Sequence, residues 1–232
     1  MKVCKVIVTA LLDRNRGGKN EYPHHEQHHN VSSILDMLKA ALELDKTFLP
    51  GVDMDTIIVN NDVGNEEAND KLKKLVKKYK KVKLVTRPNN GGSFGAYLDI
   101  YSKYKDKDKY DYYIFTEDDI LIGGQVNYLD YLINEFEKQD MGFLGLVGVS
   151  RGENHPEHAH GGVGLISTEN LKETYLDNPF IYEGFNRAHS IGHEIQFTNN
   201  IKKITGRELV YLGNNNWDLE NNFCINYSNY KK

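Results

Sequence analysis

Cysteine is nearly absent from this chain. Only Cys4 and Cys224 occur, too few for a disulfide framework, and Cys4 falls in an apolar segment, so the sequence reads as a reduced intracellular protein. Long apolar runs are lacking too. The opening MKVCKVIVTALLDRN is too short for a secretory signal or a membrane span, and the expectation is a cytoplasmic protein that meets a membrane only peripherally. There is no basic excess: 29 Lys and Arg stand against 33 Asp and Glu, and the formal charge of −4 argues against a general nucleic-acid binder. No G-x-G-x-x-G follows an early strand, which sets aside nicotinamide dehydrogenases. What remains is an ordinary soluble composition, 39% hydrophobic and 27% charged, without an internal repeat or a clean linker, and it predicts one domain.

Hydrophobic rhythm alternates between strand and helix over the first half. Residues 2–12 and 55–62 read as strands, 66–81 as an amphipathic helix and 82–86 as a third strand. Between the first two strands, Asn30 looks like the cap of a helix with Val31, Ile34, Leu35, Leu38 and Leu42 on one face. Ser93 is placed to cap a later helix with Phe94, Tyr97, Leu98, Tyr101 and Tyr104 inward. The lysines of residues 73–81 fall on the polar side of their helix and read as a solvated face. Such alternation predicts a mainly parallel sheet flanked by helices, with any ligand beyond the carboxyl ends of the strands. Later come a helix near 127–138, a strand at 142–149, a helix from about 190 to 204 ended by Gly206, and a strand at 208–212. Gly161, Gly162 and Gly164 suggest close backbone approach or positive φ.

Polar residues collect where that topology would put a ligand. The predicted strand ends lead into Asp13-Arg14-Asn15, Asn61-Asp62, the turn Arg87 to Gly95, and Glu117-Asp118-Asp119. Three successive acids after a buried strand repel one another and are costly to desolvate, so a divalent cation with hard oxygen ligands is the natural counter-charge. Glu194 lies three residues before Phe197, on the inward stripe of its helix, where a carboxylate is either paired or functional. His24, His25, His28 and His29 form a cluster in a polar loop, read as solvated rather than metal-binding.

The series Asn60-Asn-Asp62, Arg87-Pro-Asn-Asn-Gly-Gly92, Glu117-Asp-Asp119 and His193-Glu194-Ile-Gln-Phe197, in that order, resembles the GT-A glycosyltransferases, nearest in arrangement to family 2. The resemblance implies a single-domain, Rossmann-like α/β fold over 1–232. Residues 1–122 would form a nucleotide-sugar-binding half, 123–212 an acceptor and catalytic half, and 213–232 a tail. It also implies a donor site of Asp62, Arg87, Asn90, Gly91, Gly92, Glu117 and Asp118, with Asp119 and Glu117 holding Mn²⁺ or Mg²⁺. Glu194 would be the general base of an inverting transfer from a nucleotide sugar, UDP-linked by preference, to a hydroxyl of a glycan or glycoconjugate. The chain departs from the pattern where Glu117 and Glu194 stand for the usual Asp and where Asn200 replaces a common Arg. Some related families add a C-terminal histidine as a metal ligand. No histidine follows His193 here, which leaves His158 and His160 as candidates. Two alternatives remain: a sugar-phosphate nucleotidyltransferase, for which Arg14-Asn-Arg-Gly-Gly18 is a poor phosphate loop, and a GT-A-like binding protein without catalysis.

Overall fold

The structure, a computed structural model, describes residues 1–12, 30–104, 109–123, 127–146, 148–149, 157–177, 187–211 and 224–227. Its centre is a seven-stranded sheet. The strands are β1 (Val3–Thr9), β2 (Met54–Asp62), β3 (Val82–Pro88), β4 (Tyr112–Glu117), β6 (Phe143–Gly145), β9 (Gly164–Ser167) and β10 (Leu209–Tyr211), in the order β10-β6-β9-β4-β1-β2-β3. All neighbours pair in parallel except β9, which runs antiparallel to both β4 and β6. Two small pairs lie outside it: β5 (Ile120–Gly123) with β11 (Cys224–Tyr227), and β7 (Gly148–Val149) with β8 (His158–Ala159).

Helices cover both faces, and β1 shows why. All seven of its residues are buried, as befits a central strand covered on both sides. With a side-chain period of two, Cys4, Val6 and Val8 enter one core with Phe94, Tyr97 and Tyr101 of α3 (Gly92–Tyr104) and Phe197 and Ile201 of α6 (Arg187–Thr205). Ile7 enters the opposite core with Ile34, Leu38 and Leu42 of α1 (Val31–Phe48) and Leu72 of α2 (Glu66–Val76). A third cluster forms around Leu129, Leu132 and Phe136 of α4 (Tyr128–Lys138). Among the described residues no helix is long and apolar enough to cross a membrane.

Several expectations need correction. The strand expected to end at the acids is β4, which stops at Glu117, and a turn at Asp118 and Asp119 divides it from a short further strand, β5, that was not anticipated. The strand expected at 142–149 likewise divides into β6 and β7. The helix expected to reach residue 81 ends at Val76, where a turn closed by Tyr79 N–H to Val76 C=O takes over. Ser93 is not a cap: α3 begins at Gly92, and the Ser93 hydroxyl donates elsewhere. Strand β9, helix α5 (Thr168–Asp177) and strand β11 were not anticipated. The Asn30 cap is present, its Oδ1 accepting from Ser33 N–H at 2.8 Å.

Lys5 breaks the apolar pattern of β1. Its ammonium, buried, donates to both carboxylate oxygens of Asp45 on α1 at 2.7 Å, and Tyr128 of α4 donates to Oδ1 at 2.8 Å. Burial and the adjacent Asp45 push the Tyr128 phenol well above its ordinary pKa, so it stays a donor. This triad ties strand, α1 and α4 together. Replacing Asp45 with alanine strands a buried cation, and the expected loss is about 3–5 kcal/mol. Urea unfolding measures it, and the pair Lys5→Met with Asp45→Leu is expected to restore most of the loss.

Candidate active site

Parallel pairing brings four strand ends to one edge of the sheet. Thr9 of β1 lies beside Asn60 of β2, Asn61 beside Arg87 of β3, and Val8 beside Glu117 of β4. Asp62 accepts from Gly64 N–H at 2.9 Å and from Asn69 Nδ2 at 3.0 Å. The Asn69 bond, then that of Gly64, holds its carboxyl below the usual range. Arg87 spreads its guanidinium over three acceptors: Asp99 from Nε at 2.5 Å, Asn61 Oδ1 from Nη1 at 2.7 Å and the Asn90 carbonyl from Nη2 at 2.8 Å. Its planar fork thereby braces the turn from Asn90 to Gly92. Asn61 closes the turn from the other side, donating to the Gly92 carbonyl at 3.1 Å. Gly91 and Gly92 have φ of 74° and 55°, a region open to glycine at little cost.

The acids have distinct surroundings. Asp118 is buried and accepts from the Thr9 hydroxyl at 2.6 Å, which ties the turn to the end of β1. Asp119 is half-buried in the same turn. Glu117, also half-buried, accepts from the Ser93 hydroxyl at the start of α3. A short 3-10 turn, His160–Gly162, presses on it. A Cβ on Gly161, whose φ is 58°, would lie 2.8 Å from the Glu117 carboxylate. Burial, then the charges of Asp119, Asp118 and Glu194, push Glu117 up to about 8 against the pull of the Ser93 bond.

Glu194 faces inward from α6 as expected, 5% exposed, with Phe197 and Ile201 buried below it. His158 Nε2 lies 3.4 Å and His160 Nδ1 3.7 Å from its Oε2. Both histidines were candidates as metal ligands; here they meet Glu194. His193 packs edge-on against Phe94. Ser93, Thr9 and Gly161 were missed as site residues. Only the glycines in that segment hinted at close contact. His24, His25, His28 and His29 and the Arg14–Gly18 segment lie outside the described residues.

Among the described residues no three of His, Cys, Asp and Glu converge into a metal-holding group. Two carboxylates are nevertheless what a hard cation needs when most of its ligands are phosphate oxygens and water. Burial and then repulsion from Asp119 raise Glu117, and a cation would relieve both, so Asp119 and Glu117 fit Mn²⁺ or Mg²⁺ chemically.

No family model and no curated protein matches the chain. Among solved structures it is similar to a putative glucose-1-phosphate thymidylyltransferase from Bacillus anthracis in complex with a sucrose. The two share 16% identity over 90% of this chain and 85% of that one, with a TM-score of 0.50. It is also similar to S. aureus TarS 1–349 in complex with UDP, at 13% identity over 91% of this chain and a TM-score of 0.46. The chain spans 58% of that TarS chain, little more than half its length. At such identities the likeness is one of fold. The architecture is a Rossmann-like α/β fold with a mainly parallel central sheet flanked by helices, and the tie to GT-A enzymes and to family 2 stays a resemblance.

Glu117 makes stability depend on pH. Its folded pKa near 8 lies above the ordinary 4.5, so the folded chain holds a proton that the unfolded chain releases. The contribution is full below about pH 4.5 and is lost as pH rises through about 8. Glu117→Gln is expected to unfold at higher temperature than wild type at pH 8 without divalent cations, the gap closing toward pH 4.5. Thermal scans across that range, in chelator, are the measurement.

Proposed function

We propose that the chain is a metal-dependent glycosyltransferase, moving a sugar from a nucleotide-sugar donor, UDP-linked by preference, to a hydroxyl of a glycan or glycoconjugate. The observation that carries this reading is the set of acids Glu117, Asp118 and Asp119 at the carboxyl ends of the parallel strands, with one short turn that lies against Glu117 and also reaches the buried Glu194. Asp119 and Glu117 would hold Mn²⁺ or Mg²⁺, which neutralises charge on a leaving nucleoside diphosphate. Asp62, Arg87, Asn90, Gly91, Gly92 and Asp118 would line the donor. Asp62 meets the nucleotide, and Arg87 acts by bracing the Asn90–Gly92 turn.

Glu194 then takes the proton of the acceptor hydroxyl. The hydroxyl oxygen attacks the anomeric carbon from the side opposite the leaving group, the nucleoside diphosphate departs with the bond's electron pair, and configuration inverts. The setting would be cytoplasmic polysaccharide assembly, peripheral to a membrane where the acceptor requires it.

A sugar-phosphate nucleotidyltransferase is the second reading, favoured by the likeness to the thymidylyltransferase fold. Its nucleophile is a phosphate oxygen, already ionised at neutral pH, which needs no base and is repelled by a nearby carboxylate. Glu194 therefore supports glycosyl transfer.

Titration calorimetry with UDP, with and without Mn²⁺, and turnover on a panel of nucleotide sugars test the proposal. Asp119→Ala is expected to abolish metal-dependent UDP binding and turnover together. Glu194→Gln is expected to leave UDP binding nearly unchanged while turnover falls by about 10²–10⁴-fold. Near-normal transfer by that variant would remove Glu194 as the base. A retained anomeric configuration, read by NMR, would overturn the single displacement, and pyrophosphate release from a nucleoside triphosphate would favour the second reading.

A further inference from the structure

His158 and His160 reach the site from β8 and from the 3-10 turn that follows it, and both approach one oxygen of Glu194, Oε2, at 3.4 and 3.7 Å. The approach is anchored on both sides. Ala159, between the histidines, donates its N–H to the Thr198 hydroxyl at 3.2 Å, and that hydroxyl donates to the Glu194 carbonyl at 2.9 Å. His158 is wholly buried, and His160 keeps 31% of its side chain exposed. The next residue, Gly161, lies against the Glu117 carboxylate, and its carbonyl accepts from the Tyr97 hydroxyl at 3.2 Å. One five-residue segment, 158–162, thus touches the carboxylate placed for the leaving group and the one placed for the incoming hydroxyl.

We infer that His158 and His160 are positioning residues that clamp Oε2 of Glu194 and so aim its other oxygen at the acceptor hydroxyl. The inference rests on the transferase reading with Glu194 as base. An inward carboxylate on a helix has several rotamers, and a base works only within hydrogen-bond reach of the proton it takes. Two ring nitrogens within 3.7 Å of one oxygen narrow that freedom before the acceptor arrives, so less orientation remains to be gained in the transition state. Neither histidine touches the donor in this scheme. The clamp therefore acts on turnover and leaves donor affinity alone.

The test uses the full chain and separates kcat from the donor KM. His160→Ala and His158→Ala are each expected to lower kcat by about 10-fold or more with donor KM within about twofold of wild type. His160→Asn and His158→Gln keep a donor nitrogen near the positions of Nδ1 and Nε2, and each is expected to recover most of the loss. A merely structural role would move stability and KM together and would not be rescued in this pattern. Unchanged kcat in both alanine variants would overturn the clamp.

A second readout does not depend on turnover. Ring ¹⁵N resonances of His158 and His160, assigned through the two alanine variants, are expected to move in Glu194→Gln while that of His193 moves less. Ring resonances indifferent to Glu194 would overturn the clamp even in an active enzyme. Absence of transfer with every nucleotide sugar, with coupled ring resonances, would instead overturn the transferase reading and leave the contact standing.

Discussion

Burial of adjacent carboxylates at the ends of rigid strands, with the repulsion that adds to it, is the constraint on which the site depends. Glu117 cannot relax away from Asp118 and Asp119, because the register of β4 on β1 fixes its backbone and the Thr9 bond fixes Asp118. Ser93 and Gly161 then fix Glu117 from two other sides. A protein interior stabilises one buried carboxylate with a few donors, whereas adjacent acids each raise the cost of ionising the next. The outcome is a carboxyl held near pH 8 at the place where a parallel sheet presents its ligand site.

Elsewhere the same chain resolves buried charge internally. Lys5, Asp45 and Tyr128 make a closed set in the core beneath α1 and α4. Asp55 accepts from Lys109 and Tyr110 at 2.8 and 2.7 Å, and these bonds hold its carboxyl far below the ordinary range although burial alone would raise it. Both sets lie away from the carboxyl ends of the strands. Adjacent acids gather at the carboxyl end of β4, whereas these two sets and the Arg87–Asp99 pair are matched internally.

The carboxyl ends of the first four sheet strands were legible because period and position agreed. Strands β1 to β4 carry strong apolar patterns, so their ends, and the polar residues there, could be placed without knowing any contact. Glu194 was legible for the same reason, through its spacing from Phe197 and Ile201. What stayed hidden depends on pairing between distant residues. β9 is four residues long, and its antiparallel direction is set by β4 and β6 rather than by its own composition. Ser93 looked like a cap because serine before a helix usually is one, yet its hydroxyl is drawn to Glu117 across 24 positions of chain. Strand β5 escaped notice because its four residues carry little pattern of their own and its partner, β11, is about a hundred positions away.

The His160–Gly162 turn links these features into one geometric argument. Glycine at 161 is what lets the backbone lie against the Glu117 carboxylate, since any side chain there would collide with it and strain a positive φ. That close approach sets where the preceding histidines fall, and they fall on Glu194. One short run of backbone thus lies beside both carboxylates. Under the proposed single displacement that run would relate the two reacting sides, because nucleophile and leaving group must sit on opposite sides of one carbon. A site that only bound a nucleotide sugar would need the acids near the phosphates and would gain nothing from a second buried carboxylate beside the same run.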